Sequence, residues 1–361
     1  MLRQIGLVLV FSIFSFLLPS TSRTAELQDM TQWAESLMDT SSEAPKQILS
    51  QWLLPNLPQA PGGNRFDKKK IELGKMLFFD PRLSGDGTMS CATCHNPELG
   101  WSDGLATAKG HKGKTLKRAT PTIINVGFNK ILMWDGRAKT LEDQAMGPIV
   151  NPEEMHNTVN NMLKTLKGIP GYVSAFKDAF YGLGINQTRV SKALAMYQRM
   201  VVSNNSPFDH WLQGDDKAMT PSQIRGFKIF LNPSKGNCAV CHRPPSFTDN
   251  GFHNIGLASF GKKNPDLGRH HQVKVGMTRG AFKTPPLRNI AQSAPYFHDG
   301  SAATLEAVVD HYANGGVVQS NLSPNFIQAN LDAKDKKDLV AFLKALTGKW
   351  DPKLAQVTLP E

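Results

Sequence analysis

Cys91-Ala92-Thr93-Cys94-His95, repeated as Cys238-Ala239-Val240-Cys241-His242, is the stretch on which the reading of this 361-residue chain turns. Each copy is C-x-x-C-H, the attachment pattern of c-type haem. Two thiols three positions apart can each form a thioether to one haem edge, and the adjacent imidazole then lies under the iron as proximal ligand. The two copies use all four cysteines, so none remains for a disulfide. A four-cysteine zinc site is the competing reading of two C-x-x-C pairs. Its usual spacing between pairs is about 15–20 residues, far shorter than the gap here, and it gives no reason for a histidine after both pairs.

The surroundings of the two motifs match. Before the first, Ile71, Leu73, Met76, Leu77 and Phe78 read as an amphipathic helix that stops at Asp80-Pro81, followed by the loop Ser84-Gly85-Asp86-Gly87. Before the second, Ile224, Phe227, Ile229, Phe230 and Leu231 do the same, stopped by Asn232-Pro233. Trp101-Ser102-Asp103-Gly104 follows one motif and Phe247-Thr248-Asp249-Asn250-Gly251 the other. Each half closes on an apolar helix, Val190 to Met200 and Leu339 to Leu346. The period is about 150 residues, a domain-sized repeat rather than a solenoid unit. Strand-like alternation is scarce. The expected fold is mostly α, with two cytochrome c-like haem domains related by internal duplication, residues 51–203 and 204–361, meeting near Ser203-Asn204-Asn205-Ser206-Pro207.

At the N-terminus, Arg3 precedes an apolar run from Ile5 to Leu18 and then Pro19-Ser20-Thr21-Ser22-Arg23-Thr24-Ala25. This is the order of a secretory signal over residues 1–25. A retained anchor competes, but the run is short of the ~20 residues a span needs. Residues 26–50 read as a polar leader with a short helix near Met30–Met38. Export to the periplasm fits the cysteines, because c-type haem is attached outside the bacterial cytoplasm. Nothing in the mature chain approaches a membrane span. The formal net charge is +11, with basic clusters at Lys68-Lys69-Lys70 and from Lys109 to Arg118. These suit either solvated loops or an acidic docking partner; nucleic acid is not expected at this address.

Two haems alone could make an electron carrier, which normally fills both axial positions of each iron. Catalysis needs an iron with an openable sixth site. The sequence between and after the motifs resembles the bacterial dihaem cytochrome c peroxidase and MauG family from about Ile71 to Leu346. The resemblance rests on the two C-x-x-C-H, Trp134-Asp135-Gly136-Arg137-Ala138, Gln144-Ala145-x-Gly147-Pro148 and Pro295-Tyr296-Phe297-His298-Asp299-Gly300. It implies that the haem on Cys91, Cys94 and His95 is the peroxide-reacting centre and that on Cys238, Cys241 and His242 the electron-transfer centre. Glu154 matches the distal carboxylate, Gln144 the glutamine beside it, and Trp134 the tryptophan between the haems. Splitting an O–O bond requires a proton moved to the leaving oxygen, which a carboxylate in a dry pocket can do; taken alone, Glu154 would read as a surface residue.

Three further positions follow from the resemblance. His111, in the glycine-flanked loop Gly110-His111-Lys112-Gly113, falls where peroxidase-branch members carry a histidine that caps the first iron at rest, and it equally suits a plain solvated loop. Tyr312 falls where the peroxidase branch has methionine and MauG has tyrosine as second-haem axial ligand. It shares a helical face with Leu305, Val308 and Val309, His311 lies roughly 100° away, and no methionine follows Met277. The family's interdomain calcium would take carbonyls of Thr284 and Pro286, but Ala119 stands where its asparagine ligand is expected. His298, Arg288, Asp135 and Arg137 read as structural or propionate contacts. The function implied is a hydrogen-peroxide-dependent dihaem oxidoreductase. MauG-like oxidation of aromatic residues on a partner protein stands slightly ahead of peroxide reduction fed by a cytochrome c or cupredoxin, and a non-catalytic carrier stands third.

Overall fold

The computed structural model describes residues 49–361; the expected signal segment and the helix near Met30–Met38 lie outside the described residues. The described chain is mostly helical, with one antiparallel pair of two-residue strands, Phe252–His253 and Phe282–Lys283, in the register Phe252 to Lys283. No described helix is long and apolar enough to cross a membrane.

The helix expected before each haem motif is present, as Lys68–Phe79 and Pro221–Leu231. Asp67 caps the first by accepting from the Lys70 amide, and Thr220 with Gln223 forms a capping box on the second. Each crosses the helix that closes its half. Lys68–Phe79 packs on Gln187–Gln198 and Pro221–Leu231 on Ala333–Ala345. Both crossings turn on a glycine. A methyl at Gly74 would overlap the Ala193 carbonyl, and one at Gly226 the Asp338 carbonyl.

Two apolar cores result. Leu73, Leu77, Phe78, Trp101, Leu194 and Tyr197 belong to the first, and Phe208, Phe227, Phe230, Phe247, Leu339 and Phe342 to the second. The chain ends are exchanged between them. Trp52 packs in the second core, whereas Trp350 stacks edge-on against Trp101 at 5.1 Å and Leu354 accepts from the Tyr197 hydroxyl at 2.7 Å. Next to Trp52, the fully buried Arg288 binds Asp209 through Nη1 at 2.7 Å and donates to the Trp52 carbonyl at 2.6 Å. Arg288 thus has a structural role in joining the start, middle and end of the second core.

Candidate functional site

Each haem motif is a single turn whose histidine is aimed by a backbone carbonyl. Cys91–Cys94 is one helical turn held by a reciprocal Ser90–Thr93 cap, and Cys238–Val240 is a 3-10 turn. His95 Nδ1 donates to the Trp101 carbonyl at 3.2 Å and His242 Nδ1 to the Phe247 carbonyl at 2.8 Å. Trp101 and Phe247 both have φ of 59°, and both side chains are fully buried; packing thus holds the backbone in a conformation that bulky residues otherwise avoid. Burial keeps both imidazoles neutral, His242 at about 4, although the Phe247 carbonyl opposes that shift. With Nδ1 committed, Nε2 is the nitrogen left to bind a metal. Around Cys238, Cys241 and His242 lies a largely apolar cavity walled by Phe230, Leu305 and Val309. These donors and this lining fit a covalently held haem.

Glu154 follows the Leu141–Val150 helix, which Thr140 caps and which carries Gln144, half-buried, in its second turn. The helix ends at Asn151, whose side-chain amide donates to Glu154 Oε1 at 2.8 Å. Burial raises the Glu154 pKa above the ordinary glutamate value, while the Asn151 hydrogen bond and the Arg137 charge oppose it. Burial first, then the charges of Asp103 and Glu154, push the Cys94 thiol up to about 11, so Glu154 lies within electrostatic reach of the first attachment site. The His111 loop docks on the same turn: the His111 amide donates to the Glu153 carbonyl at 3.0 Å, and Lys114 Nζ to Glu153 Oε1 at 2.6 Å. The His111 ring stacks on His156 at 4.3 Å, and its Nδ1 lies 3.2 Å from Asp86.

Trp134 lies between the halves and lines the second-haem cavity. Its indole N–H donates to the Ala119 carbonyl at 2.9 Å, and its ring meets His298 edge-on at 6.3 Å. Asp135 accepts from Arg118 and Arg137, which fixes the turn, and Arg118 also reaches Asp266. Tyr312 lines the cavity with His242, and burial raises its phenol pKa. His311 instead donates through Nε2 to the Ile255 carbonyl at 2.8 Å. Thr284, Pro286 and Ala119 line the same cavity. The Thr284 carbonyl accepts from Thr248 Oγ1 at 2.7 Å and from Lys283 Nζ at 2.9 Å.

Sequence reasoning missed Asn151, the two histidine-aiming carbonyls and Lys283. The first and last act through contacts that no motif records. The carbonyls had a signal, a bulky aromatic at the matching place after each motif, but nothing in the sequence showed its backbone angle.

The di-haem cytochrome c peroxidase family matches residues 68–217. The methylamine utilization protein MauG of Methylorubrum extorquens is 42% identical over 91% of this chain and 91% of its own length. The cytochrome c551 peroxidase of Nitrosomonas europaea is 40% identical over 77% of this chain and 79% of its own. Among solved structures, a MauG-like protein associated with microbial copper homeostasis superposes with a TM-score of 0.77 at 32% identity, over 82% of this chain and 94% of that one.

Proposed function

The chain belongs to the di-haem cytochrome c peroxidase family and is a dihaem, peroxide-dependent oxidoreductase; on that premise we propose that it is an exported, periplasmic enzyme that works in the MauG manner, oxidising aromatic side chains of a partner protein. Two c-type haems, bound at the two C-x-x-C-H motifs, supply the redox chemistry with hydrogen peroxide. Glu154, with its raised pKa, takes a proton from one peroxide oxygen and returns it to the other, and Gln144 orients the bound peroxide. Trp134, whose carbonyl accepts from the Lys283 amide of the other half, is the relay between the two centres.

The observation that carries the choice is Tyr312. It faces the second-haem cavity beside His242, the neighbouring His311 is engaged by the Ile255 carbonyl, and no methionine follows Met277. A methionine thioether raises a haem potential; a phenolate oxygen favours the oxidised metal and lowers it. A centre of that kind accepts electrons poorly from a high-potential cytochrome c and suits storage of an oxidising equivalent. Potentiometry of wild type and Tyr312→Met tests the reading. The wild-type second haem should titrate low and the variant higher. A wild type already at a His/Met-like potential, unmoved by the substitution, would overturn it.

One observation favours the peroxidase reading. The His111 loop is bonded directly to the turn that carries Glu154, where a histidine could gate the first centre. Stopped-flow mixing with peroxide separates the two: reaction from the fully oxidised protein supports the MauG manner, and reaction only after one-electron reduction supports gating by His111.

A further inference from the structure

We infer that the Lys283 side chain has taken over the place of the calcium ion that the family resemblance implies, so that this chain joins its halves without a divalent cation. The segments at Ala119 and Lys283 meet the interface in matching ways. The Ala119 amide donates to the His298 carbonyl at 2.8 Å, and the Lys283 amide to the Trp134 carbonyl at 2.8 Å. Each segment is therefore bonded to the Asp-Gly turn of the opposite half. One residue further on, Thr120 O accepts from Ser102 Oγ at 2.8 Å and Thr284 O from Thr248 Oγ1 at 2.7 Å. The correspondence breaks at one side chain. Ala119 is a buried methyl, 7% exposed, whereas Lys283, also 7% exposed, turns back so that Nζ donates to Thr284 O at 2.9 Å.

A carbonyl oxygen offers two lone pairs, and two donors already lie on that of Thr284. Calcium takes six to eight oxygens. Of the three protein ligands expected here, the asparagine oxygen is missing at Ala119 and the Thr284 carbonyl is engaged, which leaves the Pro286 carbonyl. The buried Thr284 hydroxyl, a neighbour that helps hold the Asp249 carboxyl ionised, adds one neutral oxygen at most. Asp249, the carboxylate whose charge reaches Lys283, is held by His253 Nε2 at 2.8 Å and by the Gly251 amide at 2.7 Å. Two neutral oxygens make no calcium cage. Placing an ion there would also strand the Lys283 amine in a buried site without its acceptor, or beside a dication, and either is costly.

The test reads metal and stability, not turnover, so its outcome is separate from that of the proposed function. The purified dihaem protein is equilibrated with calcium chloride, dialysed into calcium-free buffer and analysed by elemental mass spectrometry. Thermal unfolding is then compared in calcium and in EGTA. Wild type should retain no calcium and unfold at one temperature in both. The Ala119→Asn/Lys283→Met double variant restores the missing oxygen and frees the Thr284 carbonyl; it should take up one ion per chain and unfold higher in calcium. If that variant does not accumulate folded, Ala119→Asn/Lys283→Ala, which makes the same two changes without a long side chain, should show calcium-dependent unfolding, and its failure to do so overturns the inference as well. Stoichiometric calcium in wild type, or a wild-type unfolding temperature that falls in EGTA, overturns the inference. So does a folded double variant that stays calcium-free.

Discussion

The carboxyl of Glu154 is set by opposing neighbours: burial pushes its pKa up, while the Asn151 amide and the Arg137 charge favour the ionised form. If it is the proton carrier, Glu154→Gln should keep both haems attached and slow peroxide cleavage by about 10²–10⁴-fold, the usual worth of general acid–base help. An unimpaired stopped-flow rate would remove Glu154 from the role. Asn151 gives a finer test. Its N–H stabilises the carboxylate, so Asn151→Ala should raise the Glu154 pKa further. The acid limb of the pH–rate profile should then lie above the ordinary carboxyl range in wild type and move to still higher pH in the variant. An acid limb that stays in place would detach Asn151 from the proton chemistry. Glu154 was legible in the sequence only through the motif around it, since an isolated glutamate reads as surface. Asn151 was not legible, because its contact depends on where the helix stops.

At the scale of elements, the helices were largely legible because their apolar residues recur with helical period and stop at Asp80-Pro81 and Asn232-Pro233. What the period does not show is which helices cross and how closely. Gly74 and Gly226 settle that. Glycine in a helix interior costs about 1 kcal/mol relative to alanine, so both positions go against propensity. The reason is the carbonyl of the crossing helix, Ala193 in one half and Asp338 in the other. Gly74→Ala and Gly226→Ala should each destabilise by about 1–3 kcal/mol, the range for overpacked cores, despite the gain in helix propensity. Denaturant unfolding of the dihaem protein measures it, and a variant more stable than wild type would mean that the crossing can open without cost. The exchanged ends were also beyond sequence reading. Trp52 and Trp350 each pack in the core of the other half, and their position along the chain assigns them to the wrong one.

Across the whole molecule, the halves are joined by polar contacts that converge on Arg118. From the first half it donates to Asp135 at 2.9 Å, and across the interface it grips Asp266 through Nε at 2.7 Å and Nη2 at 2.9 Å. The Arg118 guanidinium also lies over the Phe282 ring, which stacks on His298, the edge-on neighbour of Trp134. Burial alone would raise the Asp266 pKa, but hydrogen bonding to Arg118 and to the Gly268 amide prevails and holds it at about 2, against an ordinary 3.8. An acid whose pKa is depressed by folding stabilises the fold above its unfolded value and loses that contribution as pH falls through the folded one. The shift corresponds to about 2 kcal/mol, present in full above roughly pH 4 to 5 and gone below about pH 2. Asp266→Asn should therefore unfold at lower urea concentration than wild type at neutral pH, and the two unfolding curves should converge as the pH approaches 2. A gap of constant size across that range would assign the loss to packing rather than to charge, and Arg118 would no longer count as the electrostatic tie between the halves.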